Sequence, residues 1–237
     1  DMQMQRTSGL LCPIDEMKSP LELVMKYTKG VSDSQAGVDS PDAKAFREYI
    51  TSLKAEEVQG FLEDLGLYGN YSHGTHVAGI AAAGNPFARI LGVRLTFDFK
   101  SIPRYDMNIE TAEAWAQSFR DTVAYMKKAG VRVVNMSWGL SRSDIENMIE
   151  QRGTIKDPKE RAEMSRKVFG IMINAMTEAM KSAPEILFVP AAGNSDNDNV
   201  FSEMMPTGID LPNVITIGAI DSSGKPTSFT TFGKGVT

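Results

Sequence analysis

The sequence holds one cysteine and two histidines. Cys12 alone excludes an intrachain disulfide, and it neither requires nor excludes export. His73 and His76 fall in one short motif, so any histidine chemistry is confined to that place. Positive charge is also scarce: 25 Lys and Arg stand against 30 Asp and Glu, a net charge of −5. Such a balance cannot neutralise phosphates and argues against nucleic acid or an anionic membrane as partner. No apolar run approaches the roughly 18 residues of a membrane span. The opening DMQMQRTSGL has neither an initiator Met nor an apolar signal core, as expected of a start set by processing or by a chosen boundary. No internal repeat or low-complexity tract is present. No strand pattern leads into G-x-G-x-x-G or a phosphate loop, which leaves a nucleotide-binding domain little support.

What remains is the composition of a folded protein. Of 237 residues, 42% are hydrophobic and 23% charged, enough for one substantial α/β core and at most a small appendage. PLELVMKYTK at 20–29 predicts a short helix that stops before Gly30, and 32–42 is polar and turn-like. From Pro41, apolar residues at three-to-four-residue steps (Phe46, Ile50, Leu53, Val58, Phe61, Leu65) predict helix up to Gly66 and Gly69. Residues 1–66 therefore read as a helical insertion or N-terminal appendage, and 67–237 as the main domain.

In the main domain, 71–84 predicts a turn entering a small-residue helix, and ARILGVRL at 88–95 a buried strand. A helix follows over 108–129, with Asn108 as N-cap, Gly130 past its end and a stripe from Ile109 to Met126. VRVVNMS at 131–137 predicts a strand apolar on both faces, as in parallel sheets. Residues 141–157 form a polar excursion, then a long helix covers about 158–181. Its Met164, Val168, Met172, Met176 and Met180 share one face, a spacing that means core packing rather than a metal or cofactor box. Strands are predicted at 185–190 and 213–220, and another at 228–233. Strands alternating with helices predict a doubly wound, mostly parallel α/β sheet with helices on both faces, incomplete at both ends.

Active groups in open α/β sheets gather at the carboxyl ends of strands. Three turns fall there: SHGTH, the SWG of Ser137, Trp138 and Gly139, and the AAGNS that holds Ala191, Ala192, Gly193 and Asn194. A histidine entering a helix at its N-terminus is kept from the imidazolium form and suits a general base, although taken alone His73 fits a capping or core histidine better. HGTH lacks the spacing and the glutamate of a zinc peptidase, and no third ligand is near, so no metal is expected there. The Asn194 amide could serve as a placed donor to negative charge, or bond its own turn. Ser137 does not lie on a strand-to-helix elbow of the G-x-S-x-G kind.

Taken in order, SHGTHVAGIAA, VVNMSWG, VPAAGNSD and PNVITIGAID resemble the subtilisin-like serine peptidases, the subtilases, over residues 71–95, 131–139, 185–195 and 212–233. The resemblance implies endopeptidase chemistry by Asp-His-Ser acyl transfer on peptide or protein substrates. It implies that His73 is the general base, Asn194 the oxyanion donor and His76 a structural residue. Ser137, Trp138 and Gly139 would pair with an extended substrate, Trp138 shaping an apolar subsite, and Ala191, Ala192 and Gly193 would line the specificity pocket. It further implies a secreted or cell-envelope protein.

The pattern departs from the family at two places. No V-I-D-S-G or V-I-D-T-G segment precedes His73; the nearest imitation, around Gly37-Val38-Asp39, puts Gln35 in the catalytic place, and Asp33 would need an insertion. The aspartate is therefore expected upstream of Asp1. The serine motif G-T-S-x-A-x-P is absent from the 237 residues, so this polypeptide alone is expected to be inactive and prone to self-association through uncovered apolar faces. The rival is a pseudopeptidase that binds extended peptides without cleaving them. No cofactor is expected; Asp196, Asn197, Asp198 and Asn199 offer oxygens to calcium, but their order is not that of an EF-hand loop and suits a solvated turn.

Overall fold

A computed structural model of the chain describes residues 14–95, 97–199 and 203–237, so Cys12 and the opening stretch lie outside the described residues. The chain forms two compact units, Asp1–Ser101 and Ile102–Thr237.

The first unit is helical. After a short 3-10 turn (Ile14–Glu16) come α1 (Leu21–Gln35), α2 (Pro41–Ser52) and α3 (Ala55–Ala82). Ser40 caps α2 by accepting from the Ala43 N–H, and Pro41 occupies the first turn, where its missing N–H costs nothing. The core is aromatic: Tyr27 stacks on Tyr49 with centroids 4.5 Å apart, and Phe61 stands edge-on to both. The buried Asp64 carboxylate accepts from the N–H groups of Lys18 and Ser19, tying the start of α1 to α3.

Three expectations change here. Helix α1 does not stop before Gly30 but runs through it, because α2 packs so close that a Cβ on Gly30 would lie 2.3 Å from the Asp42 carbonyl oxygen. The glycine marks a helix contact, not a terminus. Nor do Gly66 and Gly69 end the second helical stretch, since α3 continues past both to Ala82. The predicted strand at 88–95 is not formed: the segment has no ladder, and Ile90, Leu91 and Val93 are exposed.

The second unit contains α4 (Ile109–Lys128), β1 (Val133–Met136), β2 (Leu140–Ser141), α5 (Arg142–Arg152), α6 (Pro158–Lys181), β3 (Leu187–Pro190) and β4 (Met204–Met205). The sequence signals hold well here. Asn108 caps α4 by accepting from the Thr111 N–H at 2.9 Å, and Asp157 caps α6 by accepting from Lys159 and Glu160. The polar excursion at 141–157 contains α5, opened by a reciprocal Ser141–Asp144 capping box and closed by Gly153 at φ 71°. Val168, Met172, Met176 and Met180 of α6 are buried against Phe119, Val123, Ile145, Ile149 and Phe188. The methionine stripe is core packing, as expected.

β1 and β3 pair in parallel, in register from Val133↔Leu187 to Met136↔Pro190. Residues 213–217 run along the other side of β3 through single parallel bridges, Phe188↔Val214 and Ala191↔Ile217. β2 and β4 form a separate antiparallel pair. The expected doubly wound sheet is thus reduced among the described residues to a short parallel core. Met136 and Phe188 face α4 and α6, whereas Val133, Ile215 and Ile217 on the opposite face are exposed. Among the described residues of this unit, α4 and α6 cover one face of the sheet. The predicted strand at 228–233 instead holds the loop after β3, with the Thr231 N–H donating to Gly193 O and the Phe232 N–H to Asn197 O.

Candidate functional site

The parallel pairing of β1 with β3 fixes where two of the three candidate segments emerge. Because Met136 stands opposite Pro190, Ser137 and Ala191 leave the sheet at the same end, and the Ala191 N–H still donates to Met136 O at 3.1 Å. Two backbone segments thus begin side by side at the carboxyl ends of parallel strands.

Ser137 is half-buried and accepts from the Asn135 side-chain amide at 2.9 Å, so its hydroxyl is held along the strand. Trp138 is half-buried and meets Trp115 edge-on, centroids 6.5 Å apart, leaning on the core as much as on any subsite. Gly139 is exposed just before β2.

On the other segment, Ala191 is anchored through its carbonyl, which accepts from the Thr207 hydroxyl at 2.9 Å. Ala192 is buried, its N–H donating to Ile217 O at 2.8 Å. Gly193 takes φ 112°, a conformation side-chain-bearing residues rarely adopt, and this turns the chain so that Asn194 is exposed. Ser195 N–H and Gly193 O are both held by Thr231. The loop that presents Asn194 is therefore braced on three sides by backbone and threonine contacts.

His73 belongs to the first unit and is exposed on α3, well past its midpoint. The expected turn with His73 at a helix N-terminus is not formed, so the N-terminal dipole does not act on it. The last buried residue of α3 is Leu67, and the motif half beyond it carries Gly69, Gly74 and Gly79. His76 is exposed on the same helix. His73 and Asn194 lie in different units.

Asp33 serves α1 and α2: it accepts from Lys29 and from the Ser40 hydroxyl, and these bonds, Lys29 first, hold its carboxyl below the usual range. Asp39 pairs with Arg47, and Gln35 ends α1. In the 196–199 turn, Asn199 donates to Lys234 O at 2.9 Å, and Asp198 and Asn199 crowd the α-carbon face of Gly233. No cluster of three or more His, Cys, Asp or Glu able to hold a metal occurs among the described residues. No helix among them is long and apolar enough to cross a membrane.

The model of the subtilase family matches residues 62–237, well over half of the chain, including the segments that hold His73, Ser137–Gly139 and Ala191–Asn194. This chain belongs to the subtilase family. Its relatives in that family are serine peptidases that act on peptides or proteins. The match begins within α3, ahead of His73, and runs through the β1 and β3 loops.

Two solved structures are similar to parts of this subtilase chain. A point mutant of the protease domain of PatA is 23% identical, with a TM-score of 0.37, over 69% of this chain and 48% of that one. The nisin leader peptidase NisP from Lactococcus lactis is 16% identical, with a TM-score of 0.27, over 53% and 35%. The chain thus spans half or less of each, and likeness at these TM-scores carries no argument about fold. No curated protein matches the chain.

Sequence reasoning missed one side chain at this site. Met204, on β4, lies between Gly139 and Gly193: a Cβ on either glycine would meet its sulfur, at 2.9 Å and 3.3 Å. Nothing local marks it, because the β2–β4 pairing that brings it there joins residues far apart in sequence.

Proposed function

We propose that this chain carries the general base, the oxyanion donor and the substrate-pairing segments of a serine endopeptidase working by Asp-His-Ser acyl transfer. The observation that supports it most is the common exit of Ser137–Gly139 and Ala191–Asn194 from one end of two paired parallel strands, in a chain of the subtilase family. His73 takes the proton of the attacking serine and returns it to the leaving amine. The Asn194 amide donates to the oxyanion of the tetrahedral intermediate, from a loop already fixed before substrate arrives. An extended peptide adds as a strand beside 137–139, its side chain directed toward Ala191, Ala192 and Gly193. These roles need no cofactor, and the work is that of a secreted or cell-envelope protein.

The test is labelling of the whole protein by a fluorophosphonate. Adduct formation that falls at least a hundredfold in His73→Ala is expected; labelling that is indifferent to His73 contradicts the assignment. The alternative reading is a protein that binds extended peptides without cleaving them. Peptide binding without any labelling of the whole protein decides for that alternative.

A further inference from the structure

Two peptide planes flank the α-carbon of Asn194, and one residue, Thr231, holds both. The plane before it is fixed where the Thr231 N–H donates to Gly193 O at 2.9 Å. The plane after it is fixed where the Ser195 N–H donates to the Thr231 hydroxyl at 3.3 Å. A residue has two soft backbone torsions, so holding both planes sets φ and ψ of Asn194. The direction of its Cα–Cβ bond follows, and only the side-chain torsions stay free. Thr231 reaches both planes because the residue it crosses has no side chain: a Cβ on Gly193 would lie 3.0 Å from the Thr231 hydroxyl oxygen, close enough to push it away from the Ser195 N–H.

Thr231 is itself fully buried, and the chain around it is laddered to the same loop. The Asp196 N–H donates to Phe229 O at 3.0 Å, the Phe232 N–H to Asn197 O at 3.0 Å and the Asn199 N–H to Phe232 O at 2.8 Å. Next to it, the Thr230 hydroxyl accepts from the Ala219 N–H at 2.9 Å and donates to Thr231 O at 3.3 Å. Asn194 and Ser195, by contrast, are exposed. Without the Thr231 hydroxyl the Ser195 N–H finds water by turning outward, and the plane after Asn194 turns with it.

We propose that Thr231 is the positioning residue of the Asn194 amide, aiming it by clamping the peptide planes on either side. This rests on the peptidase assignment above for the act served, donation to the oxyanion, whereas the clamp itself does not. Thr231 acts only through Asn194. A donor is worth most when nothing is left to reorganise at the moment of reaction, so a loosened Asn194 slows the chemical step without weakening peptide binding.

The test compares the whole protein with Thr231→Val, which keeps the shape and loses the hydroxyl, and Thr231→Ser, which keeps the hydroxyl, on succinyl-Ala-Ala-Pro-Ala-p-nitroanilide. In Thr231→Val, kcat should fall by about 10–100-fold with KM within about threefold of the parent, and Thr231→Ser should restore kcat to within about threefold. In an Asn194→Ala background, Thr231→Val should cost less than about twofold more, because the group it aims is gone. Equal losses in the two backgrounds, a loss carried by KM, or no rescue by serine overturns the proposal. A second measurement needs no cleavage. In Thr231→Val the Ser195 amide should exchange with deuterium about tenfold faster, while the amide at position 231, bonded to Gly193 O, stays as slow as in the parent. Unchanged Ser195 exchange, or equal acceleration at both amides, overturns the clamp. Faster Ser195 exchange in a protein that cleaves nothing keeps the clamp and removes the peptidase assignment instead.

Discussion

Replacing Gly30 by alanine separates two physical accounts that predict opposite signs. If Gly30 merely ended α1, alanine would extend a helix and stabilise by up to about 1 kcal/mol. In the structure the helix runs on to Gln35, and a Cβ would lie 2.3 Å from Asp42 O and 2.8 Å from Phe46 Cβ. The first of these partners is backbone in the opening turn of α2, where Ser40 and Pro41 hold the chain, so it cannot rotate away. Relief requires α1 and α2 to part by about 1 Å, which loosens the Tyr27–Tyr49 stack. Overpacking of this kind costs about 1–3 kcal/mol, and each disturbed aromatic pair about 0.5–1.5 kcal/mol more. After the propensity gain, a net loss of about 2 kcal/mol remains, or about 10 °C in Tm for a unit of this size. Urea and thermal unfolding followed by far-ultraviolet circular dichroism measure it. Gly60→Ala on α3, where a Cβ meets nothing within 4 Å, is the matched control and should be neutral or stabilising. A Gly30→Ala variant as stable as the parent would refute the α1–α2 packing.

The Asn213 amide donates to three carbonyls, Met180 O, Ala183 O and Ile186 O, at 3.0–3.1 Å, tying the end of α6 to the start of β3. Asn213→Ala should cost about 1–3 kcal/mol in urea unfolding; an unchanged midpoint would mean that water replaces the amide at no cost. Burial alone would raise the Glu63 carboxyl, but hydrogen bonds from the Ser101 N–H, Lys100 and Gln59 outweigh it and hold the pKa at about 2 against an ordinary 4.5. A depressed folded-state value contributes stability above pH 4.5 that is lost as pH falls from 4.5 towards 2. Glu63→Gln should flatten that part of the stability profile, and an unaltered acid limb would contradict the assignment. Ile80, Phe87 and Ile90 are 65%, 89% and 56% exposed on one stretch of chain, so light scattering should show concentration-dependent association of this polypeptide. A monodisperse monomer at high concentration would count against it.

Legibility in the sequence followed how local each signal is. Asn108, Asp157 and Pro158 act within one turn of themselves, and α4 and α6 begin where these residues place them. Gly30, Gly66 and Gly69 were misleading because a glycine's role depends on what stands opposite it; at Gly30 that is α2, which no local pattern reveals. The 88–95 segment has the composition of a buried strand, but a strand exists only with a partner, and none pairs with it among the described residues. At the site, the Ser137–Gly139 and Ala191–Asn194 segments were legible because both follow apolar strands that the structure pairs. The helical setting of His73 was not, since HGTH reads as a turn, and the continuous α3 overrides it. Met204 left no mark in sequence because a pairing across the fold brings it between Gly139 and Gly193.

The central claim concerns Asn194, and the most direct measurement is the peptidase kinetics of the whole protein carrying Asn194→Ala. An oxyanion donor acts in the transition state, so kcat should fall by about 10²–10³-fold while KM changes little. An unchanged kcat, or a loss confined to KM, would contradict the account and leave the 191–194 loop a binding element only.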